Sequence, residues 1–183
     1  MQRFTSAIYK ALENENWYGA LFLALTLPDI CGKIQYPQAK SEERYVKWFQ
    51  KYLDDKYTRE VGPKRQKHIF LSGEDCYALR CSLLHEGSDA ISSQRCKKAL
   101  DSFLFLTKGA HCNWCNVNKH TFLELNVTNF CEDICEAVEK WLNDLEHDDH
   151  IQKELANIIT IFESDTSKEG IRFTVNRLSN KKR

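Results

Sequence analysis

Residues 17 to 27 read WYGALFLALTL, and no other segment limits the fold so strongly. Apolar side chains fall on nearly every face of a helix drawn through them, the pattern of a helix surrounded by others. The run is too short to span a bilayer. It follows Glu13 and Glu15 rather than a basic stretch, so it does not read as a secretory leader. The chain must therefore supply enough apolar partners to wrap this helix. It can: 183 residues, 42% hydrophobic and 28% charged, fit one soluble domain with a real core. Lys+Arg and Asp+Glu each number 26. With no net charge, any polyanion binding has to come from local patches. The expected compartment is the cytoplasm, where the eight cysteines would be reduced thiols.

The rest of the chain reads as helices around that centre. Phe4, Ile8, Ala11 and Leu12 recur at helical spacing over residues 3 to 13. Pro28 is expected to end the central helix, with a loop from Asp29 to Lys40. Ser41 to Tyr57 reads as helix with Ser41 as N-cap, then Thr58 to His68 as loop. Ser72 caps a helix that stops at Gly87, a natural left-handed C′ residue. Ser92 to Leu100 reads as a further helix. SFLFLT, residues 102 to 107, and TFLELNV, residues 121 to 127, read as two strands of a small hairpin. Thr128 is expected to cap a long amphipathic helix, and IQKELANIITIF follows as helix or strand. The expectation is a mainly α fold: a compact helical bundle with a β-hairpin insertion around residues 102–127. Residues 1–175 would form the domain and 176–183 a basic flexible tail.

Within the fourth helix lies LRCSLLHEG, residues 79 to 87. Arg80 and His85 are five positions apart, which on an ideal helix sets them about 140° apart around the axis and about 7.5 Å along it. They converge if the helix loosens near Gly87, if the long arginine wraps around, or if a second subunit completes the site. The negative C-terminal end of a helix favours protonated histidine, and Glu86 beside it acts in the same direction. A guanidinium grips a phosphate through paired N–H groups, and an imidazole moves protons near neutral pH. Together they suffice to break an RNA phosphodiester, because RNA carries its own nucleophile in the 2′-hydroxyl.

ALRCSLLHEG, with its arginine, four intervening residues, histidine and closing glycine, resembles the motif helix of the HEPN superfamily (higher eukaryotes and prokaryotes nucleotide-binding domains). In that superfamily the pattern is an arginine, four to six residues, and a histidine. The resemblance covers about a dozen residues. It implies a helical domain and a metal-independent endoribonuclease of the toxin–antitoxin, defence or RNA-processing kind. It also implies a homodimer with two motifs facing one cleft, an antitoxin or other regulatory protein as partner, and Arg80 and His85 as the catalytic pair. Cys81 stands where the family usually has a polar residue after the arginine, often asparagine.

Other residues carry further expectations. PKRQKH places Lys64, Arg65, Lys67 and His68 just upstream of the motif helix, as a loop that would contact RNA phosphates. Asp29 is a second acidic candidate beside Glu86. Cys112, Cys115, Cys131 and Cys135 have a spacing that allows a structural zinc, with His111 and His120 nearby. Buried helical cysteines are the commoner explanation. Trp48, Phe49, Phe103, Phe105 and Trp141 sit at core spacing. Three functions follow: a ribonuclease without metal or other cofactor, a catalytically silent nucleotide- or protein-binding module of the same fold, or a zinc-stabilised interaction domain.

Overall fold

The computed structural model describes residues 1–91 and 97–161. Its elements are α1 (Gln2–Glu13), α2 (Trp17–Gln35), α3 (Ser41–Tyr52), β1 (Thr58–Val61), β2 (Gln66–Ile69), α4 (Gly73–Glu86), β3 (Ser102–Leu106), β4 (Asn113–Val117), β5 (His120–Asn126), α5 (Val127–Asp144) and α6 (Asp149–Ala156). The fold is therefore an α/β mixture with two sheets, and the mainly α bundle is overturned. Among the described residues no helix is long and apolar enough to cross a membrane.

The central position of the apolar run is borne out. α2 packs against α1, α3, α4, α5 and α6, with Ala20, Ala24, Leu25, Leu27 and Cys31 fully buried. Pro28 does not end it. A proline inside a helix costs about 3 kcal/mol, but Leu27, Pro28, Cys31, Gly32 and Ile34 are all buried beyond or beside it. Burying each large apolar side chain returns about 1.5–3 kcal/mol, so packing outweighs the broken turn. The helix thus runs on to Gln35, through the first part of the expected loop, and Asp29 lies on it.

Gly32 then sets the approach of α3. A Cβ at this position would lie 2.7 Å from the Arg44 carbonyl oxygen, so only glycine permits the spacing. α3 is shorter than expected, ending at Tyr52, and its N-cap is Lys40 rather than Ser41. α4 matches its reading: the Ser72 hydroxyl accepts from the Asp75 N–H, and Gly87 closes the helix at φ 66°. Asp75 is itself buried, and its carboxylate accepts the backbone N–H groups of Lys98, Ala99 and Leu100. That bonding holds residues 97–100 in irregular structure where helix was expected; residues 92–96 lie outside the described segments.

The strands differ most from expectation. The supposed loop at 58–68 contains a hairpin, with Val61 facing Gln66 and Thr58 facing Ile69. The expected pair β3 and β5 is parallel, with Ser102 facing Phe122 and Leu106 facing Asn126. The true antiparallel partner of β5 is β4, from the segment read as turn, and the order is β3-β5-β4. Asn118 and Lys119 make the two-residue turn at φ 52° and 67°, the geometry that suits a tight hairpin. β5 passes directly into α5. Asn126 caps that helix by accepting the Asn129 N–H, displacing the expected Thr128. α6 ends at Ala156, and residues 158–161 are irregular. The sequence 176–183 lies outside the described residues.

Candidate functional site

α2, α3 and α4 converge on one carboxylate. Asp29 Oδ2 accepts from Arg80 Nη2 at 2.9 Å. Its Oδ1 accepts from Arg44 Nε at 3.0 Å and Nη2 at 2.9 Å, and Ser41 Oγ donates to the same oxygen at 3.4 Å. The side chains of Asp29, Arg44 and Arg80 are only 14–20% exposed, so solvent screens these pairs less than surface ones. Two cations meet one anion, which leaves the cluster with a positive excess.

His85 joins the cluster through Arg80. Arg80 Nη1 lies 3.5 Å from His85 Nε2. α4 stays helical to Glu86, so the two converge because the arginine wraps around the helix, within a single chain. A guanidinium can only donate. The contact is a hydrogen bond only when Nε2 is unprotonated, which directs that lone pair at the cluster. His85 is exposed, whereas Arg80 Nε is buried with no partner among the described residues. Glu86 accepts weakly from Ser82 Oγ at 3.5 Å. Beside Asp29 and Arg44 opens a groove of about 360 Å³, also lined by Lys33, Ile34, Glu154 and Asn157. It is shallow, its lining holds Lys33 and Arg44 against Asp29 and Glu154, and it has room for a phosphate-sized group.

The structure thus brings together Arg80, His85 and Asp29, and adds Arg44 and Ser41, which the sequence reading missed. Arg44 lies far from the motif in sequence and carries no local signature; only the crossing of α2 and α3 at Gly32 places it.

The basic run is not brought to this cluster. It sits on the β1–β2 hairpin at the start of α4, and His85 is twelve residues further along the helix from Gly73, about 18 Å away by helical rise. Arg65 Nε is bound to Glu60 at 2.6 Å. Lys64 is exposed in the turn, and Lys67 and His68 lie on opposite faces of β2. Among the described residues no hydrogen bond or ion pair joins these four to Arg80 or His85.

The zinc set is not assembled either. Cys131 and Cys135 are buried on α5, with Cys135 bonded to Tyr9 of α1. Cys112 precedes β4 near Arg59, and Cys115 lies on β4. Burial pushes the Cys112 thiol up to about 11 and the Cys135 thiol up to about 12. Among the described residues no group of three or more His, Cys, Asp or Glu side chains could hold a metal ion.

A second polar cluster went unread in the sequence. Asp133 on α5 accepts from Lys56 Nζ at 2.6 Å and Tyr57 Oη at 2.9 Å, and lies 3.4 Å from His111 Nε2. Lys56 also binds Glu136 at 2.6 Å. Burial alone would raise the Asp133 carboxyl, but the bonds from His111, Lys56 and Tyr57 outweigh it and hold it below 3.8. Burial likewise drives the Tyr57 hydroxyl well above its usual range, with Asp133 adding to the effect. His120 is separate and meets Ser102 Oγ at 2.9 Å.

Comparison with family models, curated proteins and solved structures returned no match to this chain.

Proposed function

We propose that this chain is a HEPN-like, metal-independent endoribonuclease whose reacting groups are His85 and Arg80. The observation that carries the reading is the convergence of Arg80 Nη1 and His85 Nε2 to 3.5 Å, at a spacing where an ideal helix would hold them on different faces. The Asp29 bridge supports it, because it fixes the guanidinium while leaving Nη1 turned towards the imidazole. The resemblance of residues 79–87 to the family motif supports it independently of any helical bundle.

In this reaction the Arg80 Nη1 contact with His85 Nε2 is exchanged for the substrate phosphate, the 2′-hydroxyl of RNA attacks the adjacent phosphorus, and its proton passes to the freed Nε2. A 2′,3′-cyclic phosphate forms as the bond to the 5′-oxygen breaks. In the homodimer that the motif implies, the imidazolium of the second copy returns a proton to that oxygen. Arg80 stabilises the charge growing on the non-bridging oxygens, and Arg44 adds a second cation to the same side. Regulation by a bound protein, and a cytoplasmic setting, belong to the same proposal.

The runner-up is a silent binding module. Two observations favour it: Arg80 is already engaged by a carboxylate, and Cys81 follows it. Cleavage of a mixed RNA substrate in excess EDTA, wild type against folded His85→Ala, separates the two. Activity that vanishes in the variant supports the enzyme. Equal background in both proteins overturns it in favour of the module.

A further inference from the structure

The two faces of the β1–β2 hairpin are chemically different. Register puts Arg59 opposite His68 and Val61 opposite Gln66, and alternation adds Phe70 to their side. Glu60, Lys67 and Ile69 occupy the other. The first face looks onto β4 across a cleft of about 290 Å³, lined by Val61, His68, Phe70, Trp114, Cys115 and Asn116. This is at the small end of ligand-sized pockets, about 300–1,000 Å³.

The lining is aromatic and partly unsatisfied. The His68 ring lies 4.1 Å from that of Trp114 at 35°, and 4.6 Å from that of Phe70, edge-on. Burial lowers the pKa of His68, so the ring offers an uncharged flat surface at neutral pH. Trp114 Nε1 is buried with no hydrogen-bond partner among the described residues. Asn116 spends its amide N–H on Thr121, which leaves its carbonyl oxygen as an acceptor. Arg59 stands at the rim, exposed and in no ion pair among the described residues. It is close enough to β4 to favour the charged form of Cys112.

We propose that this cleft binds one nucleobase of single-stranded RNA, stacked on the Trp114–His68 surface, with Arg59 taking the adjoining phosphate. The occupant is argued from charge and shape together. Residues 58–70 hold four cations, Arg59, Lys64, Arg65 and Lys67, against one anion, Glu60, which Arg65 pairs, an excess that suits a polyanion. The flat aromatic lining, with the Asn116 carbonyl oxygen as an acceptor beside it, suits a base. An aromatic peptide side chain would use the stacking surface but not the cation at its rim. The proposal rests on the ribonuclease reading for its choice of RNA and gives that enzyme an anchor remote from the reacting bond. The basic hairpin then serves binding, although it does not reach His85.

The test uses the full chain carrying His85→Ala, so that substrate survives, and a short fluorescein-labelled oligoadenylate read by anisotropy in EDTA. Adding Trp114→Ala should weaken binding about tenfold, while Trp114→Phe keeps most of it. Adding Arg59→Ala, an exposed position that leaves folding intact, should weaken binding and lower the salt slope by about one. Unchanged affinity in both Trp114→Ala and Arg59→Ala, or no binding by the parent, would overturn the cleft. Cleavage by wild-type protein in the separate assay would leave the ribonuclease reading standing in that case. Loss of affinity in the variants without any wild-type cleavage would keep the cleft and remove the enzyme.

Discussion

Asp29 and Asp133 each gather partners from several elements, and their settings are opposite. Asp29 lies between Arg44 and Arg80 beside an open groove, with an exposed histidine within reach of one guanidinium. Asp133 is ringed by Lys56, Tyr57 and His111, with His111 only 15% exposed and its Nδ1 buried with no partner among the described residues. Both tie three elements together. In the first, the cations outnumber the anion and one proton-carrying group faces solvent. In the second, every charged group is taken up by another. The first leaves surplus charge and an imidazole open to solvent, as the proposed reaction requires, whereas the second is closed and holds α5 against the turn before β1.

The largest effect should come from His85→Ala, with cleavage falling about 10²–10⁴-fold, the usual range for a lost general acid–base group. Asp133→Asn should leave the rate within about twofold of wild type under conditions where it is folded. A comparable rate loss in both variants would erase the contrast. Asp29→Ala strips the partner from two half-buried guanidinium groups. It should cost ~2 kcal/mol, less than the 3–5 kcal/mol of a fully buried pair, read as a lower urea midpoint, and should also reduce cleavage. Stability equal to wild type would mean that the arginines do not depend on Asp29.

A subtler way to disturb the first cluster is Gly32→Ala, which sets a methyl group against the Arg44 backbone. Overpacking of this kind costs about 1–3 kcal/mol, and α3 must move, carrying Arg44 with it. Gly87→Ala is the control on the same cluster: nothing surrounds its Cβ, and only the positive φ is strained, at about 1 kcal/mol. A Gly32→Ala protein as active as Gly87→Ala would remove Arg44 from the site.

The smallest effect is in the pH dependence. Asp133 has a folded value below its ordinary 3.8. Its contribution to stability is therefore complete above that value and is lost as the pH falls through the lower folded one. Urea midpoints followed into acid should decline less steeply in Asp133→Asn than in wild type. Parallel declines would show that this carboxylate does not titrate with folding.

Where local chemistry decided the structure, the sequence could be read. Ser72 and Gly87 mark the ends of α4 because a hydroxyl cap and a left-handed residue act within one turn. Arg80, His85 and Asp29 were all visible as candidates. Where packing decided, the reading failed. Pro28 is a strong local stop, but burial on both sides of it keeps α2 going. β4 was hidden because its composition, Asn113-Trp-Cys-Asn-Val117, is that of a polar edge strand rich in turn formers. β3 and β5 were recognised as strands, yet their parallel pairing depends on a partner that no local pattern reveals. Arg44 and the Asp133 cluster exist only through contacts between distant helices.

The order of strands in the three-stranded sheet also governs how it assembles. β4 and β5 are joined by a two-residue turn, and such hairpins close within about 1–10 μs. β3 must instead be carried alongside β5 with the whole of β4 lying between them in the chain, and longer loops cost more entropy to close. The hairpin is therefore the early template and β3 the late arrival. Amide hydrogens should be protected first on β4 and β5, and those of β3 should exchange soonest when the sheet begins to open.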